Sequence, residues 1–182
     1  MWDGPRDTSL GQVVSQSELI QHRGEWKRHR RGVVCVAGCF DLLHPGHIRL
    51  LEQARALGDV LVVAVQSDAS VRASANQKAR SQQRPKRHTP PRPITPAAER
   101  AEILAALASV DYVIEFDDPS LRELLARLRP DVVVRGATAG AEETVSSDDK
   151  ALEAIGCKVV RVPLEPGYST ARLVQRIAEL HA

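Results

Sequence analysis

His44 and His47 lie three residues apart in the string Gly38-Cys39-Phe40-Asp41-Leu42-Leu43-His44-Pro45-Gly46-His47. On a turn of helix that spacing puts both imidazoles on one face. Pro45 suits a first helical position, where a missing N–H is no loss, and the free N–H groups of that turn favour an anion such as phosphate. Gly38 permits close backbone approach just ahead of it. Two imidazoles placed there suit a group that gathers negative charge during a reaction. Two plainer readings stay open: surface or capping residues, and metal ligands, the latter opposed by the lack of a third ligand on the same helix. A second string, Gly167-Tyr168-Ser169-Thr170-Ala171-Arg172, sets hydroxyls and a guanidinium where another helix should start. They serve either a phosphate or a plain N-cap. Asp41 either orients its loop or is a solvated turn residue, and Asp68, at the end of a strand-like run, faces the same edge and could hold a sugar hydroxyl.

These groups need elements to position them. Apolar, β-branched runs recur at Val33 to Ala37, Val60 to Val65, Tyr112 to Phe116, Val132 to Val134 and Lys158 to Val162. Each is continuous rather than alternating, the pattern of parallel strands covered on both faces. Helical patterns fall between them at Ser17 to Arg28, Pro45 to Leu57, Pro96 to Ala108 with Thr95 as N-cap, Ser120 to Leu128, Asp148 to Ile155 and Ser169 to Leu180. The expected fold is α/β: a doubly wound, Rossmann-like five-stranded parallel sheet with helices on both faces. Both strings then fall at strand-to-helix junctions, the edge at which such sheets bind ligands.

A chain of 182 residues has room for one such domain, at roughly 100 to 200 residues each. It is expected at 15–182, behind a flexible tail at 1–14, with a flexible basic insertion at 73–93. Hydrophobic residues make up 43% and charged residues 26%, which excludes a chain disordered throughout. No apolar run approaches the ~18 residues a bilayer span requires, and the start lacks a signal-peptide core, so a cytoplasmic protein with no membrane partner is expected. Cys35, Cys39 and Cys157 fit neither a disulfide framework nor a zinc pattern, and no metal ligands are assigned. Residues 69–98 hold Arg72, Lys78, Arg80, Arg84, Lys86, Arg87 and Arg92 and no acidic residue. Against a formal net charge of +2, those seven leave the rest of the chain net acidic. The segment points to an anionic partner or a solvated loop. Without interleaved aromatic residues for base stacking, a nucleic-acid partner is not expected.

The string Gly38 to His47 matches G-x-F-D-x-x-H-x-G-H and resembles the HxGH nucleotidyltransferases of the cytidylyltransferase-like superfamily. Within it, the chain is similar to the adenylyltransferase domain of the bifunctional ADP-heptose synthesis proteins over most of residues 30–180. Supporting stretches include Leu50 to Asp59, Ser67-Asp68, Arg92-Pro93-Ile94, Glu99-Arg100, Val110 to Val113, Leu128 to Asp131 and Gly167 to Thr170.

The resemblance implies attack by a sugar-phosphate oxygen on the α-phosphorus of a nucleoside triphosphate. ATP and heptose 1-phosphate are the leading substrates, pyrophosphate leaves, Mg²⁺ assists, and no covalent enzyme intermediate forms. It implies His44 and His47 as catalytic residues, and nucleotide contacts from Gly38, Cys39, Phe40, Asp41, Gly46, Arg135, Gly136, Tyr168, Ser169, Thr170 and Arg172. Arg100 falls near the acceptor phosphate, a surface ion pair being the alternative. It further implies a homodimer and a separate sugar kinase to supply the acceptor. The chain departs from the family pattern at Ala171, which replaces a second Thr, at Arg135-Gly136 followed by Ala137-Thr138-Ala139-Gly140, where the heptose branch has Lys-Gly then Gly-Asp-Tyr, and at the basic insertion. The rival readings are a glycerol-3-phosphate cytidylyltransferase and a non-catalytic nucleotide-binding protein of the same fold.

Overall fold

In a computed structural model, residues 10–81, 91–117, 120–137 and 147–180 are described. They form six strands and seven helices: β1 (Gln12–Val13), α1 (Gln16–Arg28), β2 (Val33–Gly38), α2 (Pro45–Arg55), β3 (Val60–Gln66), α3 (Asp68–Ser81), α4 (Ala97–Ala105), β4 (Tyr112–Phe116), α5 (Leu121–Leu128), β5 (Val132–Ala137), α6 (Ser147–Ala154), β6 (Lys158–Pro163) and α7 (Thr170–Leu180). The strands make one sheet in the order β1-β4-β3-β2-β5-β6, with every pairing parallel. The chain winds outward from β2 through β3 to β4, then crosses back to β5 and β6. The two windings diverge at β2 and β5, which opens a crevice at the C-terminal ends of those strands.

The continuous apolar runs are explained by burial on both faces. Val34, Val36, Leu61, Val63, Val65, Val113 and Val134 pack with Leu50, Leu51 and Ala54 of α2 and Ala101, Leu104 and Ala105 of α4. Their neighbours Val33, Cys35, Val60, Val62, Ile114, Phe116 and Val133 pack on the other side with Leu19 and Trp26 of α1, Leu124, Leu125 and Leu128 of α5, and Leu152 of α6. Register follows the same alternation, with Val34 opposite Leu61 and Val36 opposite both Val63 and Val134.

Three aspartates, each just ahead of a strand, fix the opposite end of the sheet. Asp59 accepts from Gly32 N at 2.7 Å, Asp111 from Leu61 N at 2.7 Å and Asp131 from Val33 N at 2.8 Å. Each carboxylate satisfies a backbone donor that the ladder leaves without a partner at a strand entrance.

The structure corrects three expectations. The sheet has six strands rather than five, because residues 12 and 13, assigned to the tail, pair with β4 through Gln12↔Tyr112 and Val13↔Val113. Both side chains of that strand are exposed, so no apolar pattern marks it. The segment 73–93 is not loop throughout: α3 continues through Ser81, since Ala, Arg, Lys and Gln hold a helix without large apolar residues. Residues 82–90 of that expectation, like 1–9 of the tail, lie outside the described residues. Finally, Pro96 rather than Thr95 is the N-cap of α4, with no side-chain cap hydrogen bond, while the Thr95 N–H donates to Asp41.

Candidate active site

The loop from Gly38 to His47 leaves β2 at the crevice. Phe40 turns the chain in the left-handed region, φ 50°, an uncommon conformation for a bulky residue. It is held there because its ring is buried and lies over Gly38, where a Cβ would come within 3.0 Å of the ring. The next residue, Asp41, is 4% exposed. Its Oδ1 accepts from Ile94 N at 2.8 Å and Thr95 N at 2.9 Å. Its Oδ2 lies 2.5 Å from Arg92 Nε in an ion pair whose geometry makes no in-line hydrogen bond. Asp41 therefore orients the loop, and the solvated-turn reading does not hold.

Arg100 ties the same region together from below. It is 1% exposed, donating Nε to Thr95 O at 2.9 Å, Nη1 to Cys39 O, and Nη2 to Asp68 Oδ1 at 2.6 Å. It is thus neither a surface ion pair nor open to an acceptor phosphate in this conformation; with Asp68 it braces the loop carrying Cys39 against the start of α4. Burial pushes the Cys39 thiol up, with the Arg100 cation opposing, so Cys39 is a neutral wall.

α2 then starts as the residue types dictate, with Pro45 in the first turn and His44 as N-cap in an extended conformation, its side chain making no cap hydrogen bond. The imidazoles of His44 and His47 stack face to face, ring centres 3.8 Å apart and planes at 13°. Phe40 meets the His47 ring at 5.4 Å. Both Nδ1 atoms are buried without a hydrogen-bond partner among the described residues, so the capping alternative is not what is found. Burial, with the neighbouring His44 adding to it, pushes His47 down to about 4. His44 is also lowered by burial, opposed in part by a contact with its own backbone. At neutral pH the pair is two uncharged imidazoles. Gly46 makes the stack possible: a Cβ there would lie 3.1 Å from His44 Nδ1 and 3.1 Å from the Tyr168 Cβ.

That second contact brings in the other string. Gly167 turns with φ 85°, Tyr168 reaches His44, and α7 begins at Thr170. Ser169 Oγ accepts from Arg172 N at 3.1 Å, the N-cap bond expected of a hydroxyl there. The starts of α2 and α7 therefore meet, bringing together His44, Gly46, His47, Tyr168, Ser169, Thr170 and Arg172. Arg135 and Gly136, from the C-terminal half of β5, make other contacts. The side chain of Arg135 turns to α6, its Nε 3.4 Å from Asp149 Oδ1, while Gly136 packs on Leu164, which a Cβ would meet at 2.8 Å. Thr138, Ala139 and Gly140 of the divergent loop lie outside the described residues.

Sequence reasoning passed over Arg49, Asp149, Arg161 and Glu165. Asp149 is buried and also holds Arg161 at 2.5 Å. The one available signal was that Arg135 and Arg161 occupy matching positions in adjacent strand-like runs, which the sheet pairs directly. A cleft of about 320 Å³ opens beside the loop, lined by Phe40, Asp41, Leu42, Leu43, Thr95 and Arg100 with Ile103 of α4 and Leu173 and Ile177 of α7. Among the described residues no cluster of three or more His, Cys, Asp or Glu could hold a metal ion.

The family model described as cytidylyltransferase-like matches residues 35–176, which spans both helix starts. The chain belongs to the cytidylyltransferase-like family. Among curated relatives, the bifunctional protein HldE of Koribacter versatilis is 42% identical over 164 residues, 90% of this chain and 31% of that protein. That of Acidiphilium cryptum is 39% identical over 173 residues, 95% of this chain and 32% of that protein. This cytidylyltransferase-like chain thus spans about a third of the length of the relatives it matches. Solved structures agree on the fold. A lipopolysaccharide core biosynthesis protein from Thermoplasma volcanium superposes with a TM-score of 0.53 at 24% identity, covering 74% of this chain and 97% of that one. A pantoate-beta-alanine ligase from Francisella tularensis superposes with a TM-score of 0.53 at 15% identity, covering 86% and 69%.

Proposed function

We propose that the protein is a nucleotidyltransferase that transfers AMP from ATP to heptose 1-phosphate, releasing pyrophosphate in ADP-heptose synthesis. The observation that carries the reaction class is the stacked His44–His47 pair set where the starts of α2 and α7 meet. Two helix N-termini offer free N–H groups and the positive ends of their dipoles to one anion. The choice of ATP and heptose phosphate is supported by the HldE relatives at 36–42% identity. A pantoate-beta-alanine ligase crystallised with a nucleotide shares the fold.

In this reading the sugar-phosphate oxygen attacks the α-phosphorus, and the bond to pyrophosphate breaks without a covalent enzyme intermediate. Charge builds on the phosphoryl oxygens and on the leaving pyrophosphate. An uncharged imidazole meets that charge with a ring N–H as hydrogen-bond donor, and two held rigidly lose little on reorganising. Arg172 and the backbone N–H groups at the start of α7 hold the outer phosphates, so the missing hydroxyl at Ala171 removes one contact of several. The bed of Phe40, Asp41 and Arg100 fixes the pair from below. Asp41 is committed to Ile94, Thr95 and Arg92, and the described residues offer no protein cage for Mg²⁺; Mg²⁺ would enter on the triphosphate oxygens it neutralises. A separate sugar kinase supplying the acceptor and a homodimeric assembly belong to the same proposal.

A pyrophosphate-release assay over four nucleoside triphosphates and a panel of sugar 1-phosphates and polyol phosphates tests it. ATP with heptose 1-phosphate is expected to be fastest. Preference for CTP with glycerol 3-phosphate would overturn the substrate and spare the reaction class, whereas tight nucleotide binding with no turnover would establish the non-catalytic rival.

A further inference from the structure

The two imidazoles are the middle of a longer column. Tyr168 stacks on His44, ring centres 6.3 Å apart and planes at 24°, and the guanidinium carbon of Arg49 lies over the Tyr168 ring, 5.6 Å from its centre. Arg49 sits one turn into α2 and is ion-paired to Glu165, three residues ahead of Tyr168 in the chain. α2 and the turn before α7 therefore grip each other twice, ring on ring and cation on ring. Gly46 lies beneath both grips, its missing Cβ being the space in which Tyr168 and His44 approach.

We propose that Tyr168 and Arg49 are positioning residues that hold the His44 ring against His47 and keep the start of α7 at the start of α2, so that both helix ends and both imidazoles address one triphosphate. The role rests on the nucleotidyltransferase reading above. The contacts suit positioning rather than folding: Tyr168 is 42% exposed, and the side chains of Arg49 and Glu165 are 46% and 41% exposed, so their loss uncovers little apolar surface. Transition-state groups respond differently, since a displacement of about 1 Å costs on the order of 100-fold in rate.

Tyr168→Ala, Tyr168→Phe and Arg49→Ala separate these effects, read by pyrophosphate release with ATP, by thermal melting and by an NMR titration of the His44 ring without substrate. Tyr168→Ala should lower kcat by about 10- to 100-fold, alter KM for ATP less, and leave the melting temperature near that of the parent. Its His44 titration midpoint should rise, because the ring loses part of the cover that desolvates it. The charged and titratable groups on the elements that meet at the pair are Arg49 and Glu52 on α2, Glu165 and Tyr168 before α7, Arg172 on α7 and Asp41 and Cys39 in the loop. Tyr168 variants leave the others in place, so the midpoint reports ring cover. Tyr168→Phe keeps the ring and should recover most of the lost kcat and the lower midpoint, and Arg49→Ala should fall between in kcat. A Tyr168→Ala protein with parental kcat and an unmoved His44 midpoint overturns the proposal, as does a Phe variant as impaired as Ala, which would assign the role to the hydroxyl. If the parent turns over no substrate pair, the functional reading falls by itself. The NMR arm then decides the clamp, an unmoved midpoint in Tyr168→Ala overturning it.

Discussion

At the scale of single residues, the pH behaviour of the His pair is the most exposed consequence of the site. An imidazole pushed down to about 4 from its ordinary value near 6.5 stays neutral through the range in which most histidines charge. The folded state therefore binds fewer protons than the unfolded chain between those two values, so stability is full above pH 6.5 and falls as pH drops towards 4. Melting temperature should decline across that window, and His47→Gln should flatten the decline. The acid limb of kcat/KM should lie well below pH 6.5. His44→Ala and His47→Ala should each lower kcat by about 100-fold or more, the scale set by removing one transition-state hydrogen-bond donor. Circular dichroism spectra should match the parent, and near-parental kcat in both variants would sink the catalytic assignment. The pair was legible because one helical turn relates residues three apart. Asp41 with Arg92 and Ile94, and Arg100 with Cys39 and Asp68, were not, because residues brought together from distant parts of the chain leave no local spacing to read.

Among elements, the strands were readable and their edges were not. β2 and β3 announce themselves because each is buried on both faces, a condition that forces an unbroken apolar run. β1 escaped notice because backbone bonds hold it, among them Gln12 N to Asp111 O and Val14 N to Val113 O, each 2.9 Å, and neither of its side chains is buried. α3 was missed because large apolar residues were used as the helix signal, whereas this helix depends on backbone propensity. The aspartates ahead of β3, β4 and β5 give an element-level prediction. Asp131→Ala leaves the N–H of Val33 without its acceptor in a residue with no exposure, which should cost about 1–3 kcal/mol. Urea unfolding should show a lower midpoint at an unchanged slope, with kcat intact, since Asp131 lies at the sheet end away from the His pair. Asp131→Asn keeps an acceptor and should lose less.

For the whole molecule, charge is distributed as unevenly as fold is ordered. The basic stretch meets the described structure at two points beside the site: α3 starts at Asp68, paired with Arg100, and Arg92 is held by Asp41. The two ends of the basic stretch thus fall beside a site read as taking anionic substrates, while the rest of the chain is net acidic. Replacing Arg84, Lys86 and Arg87 by Gln should raise KM for ATP at low salt by a few-fold, weaken the dependence of KM on ionic strength, and leave kcat near parental. Steady-state kinetics at two salt concentrations measure it; an unchanged salt dependence would show that these charges do not steer substrate.

The brevity of β1 has a consequence for handling the protein. β4 has five residues, and β1 pairs along its outer side at Tyr112 and Val113. Past that point no described strand covers the outer side of Ile114, Glu115 and Phe116. An open strand edge is a template for pairing with another chain, and a charged residue within it works against that. Glu115, exposed between two buried neighbours, occupies that position. An exposed carboxylate at that position works against edge-to-edge pairing of one copy of this molecule with another.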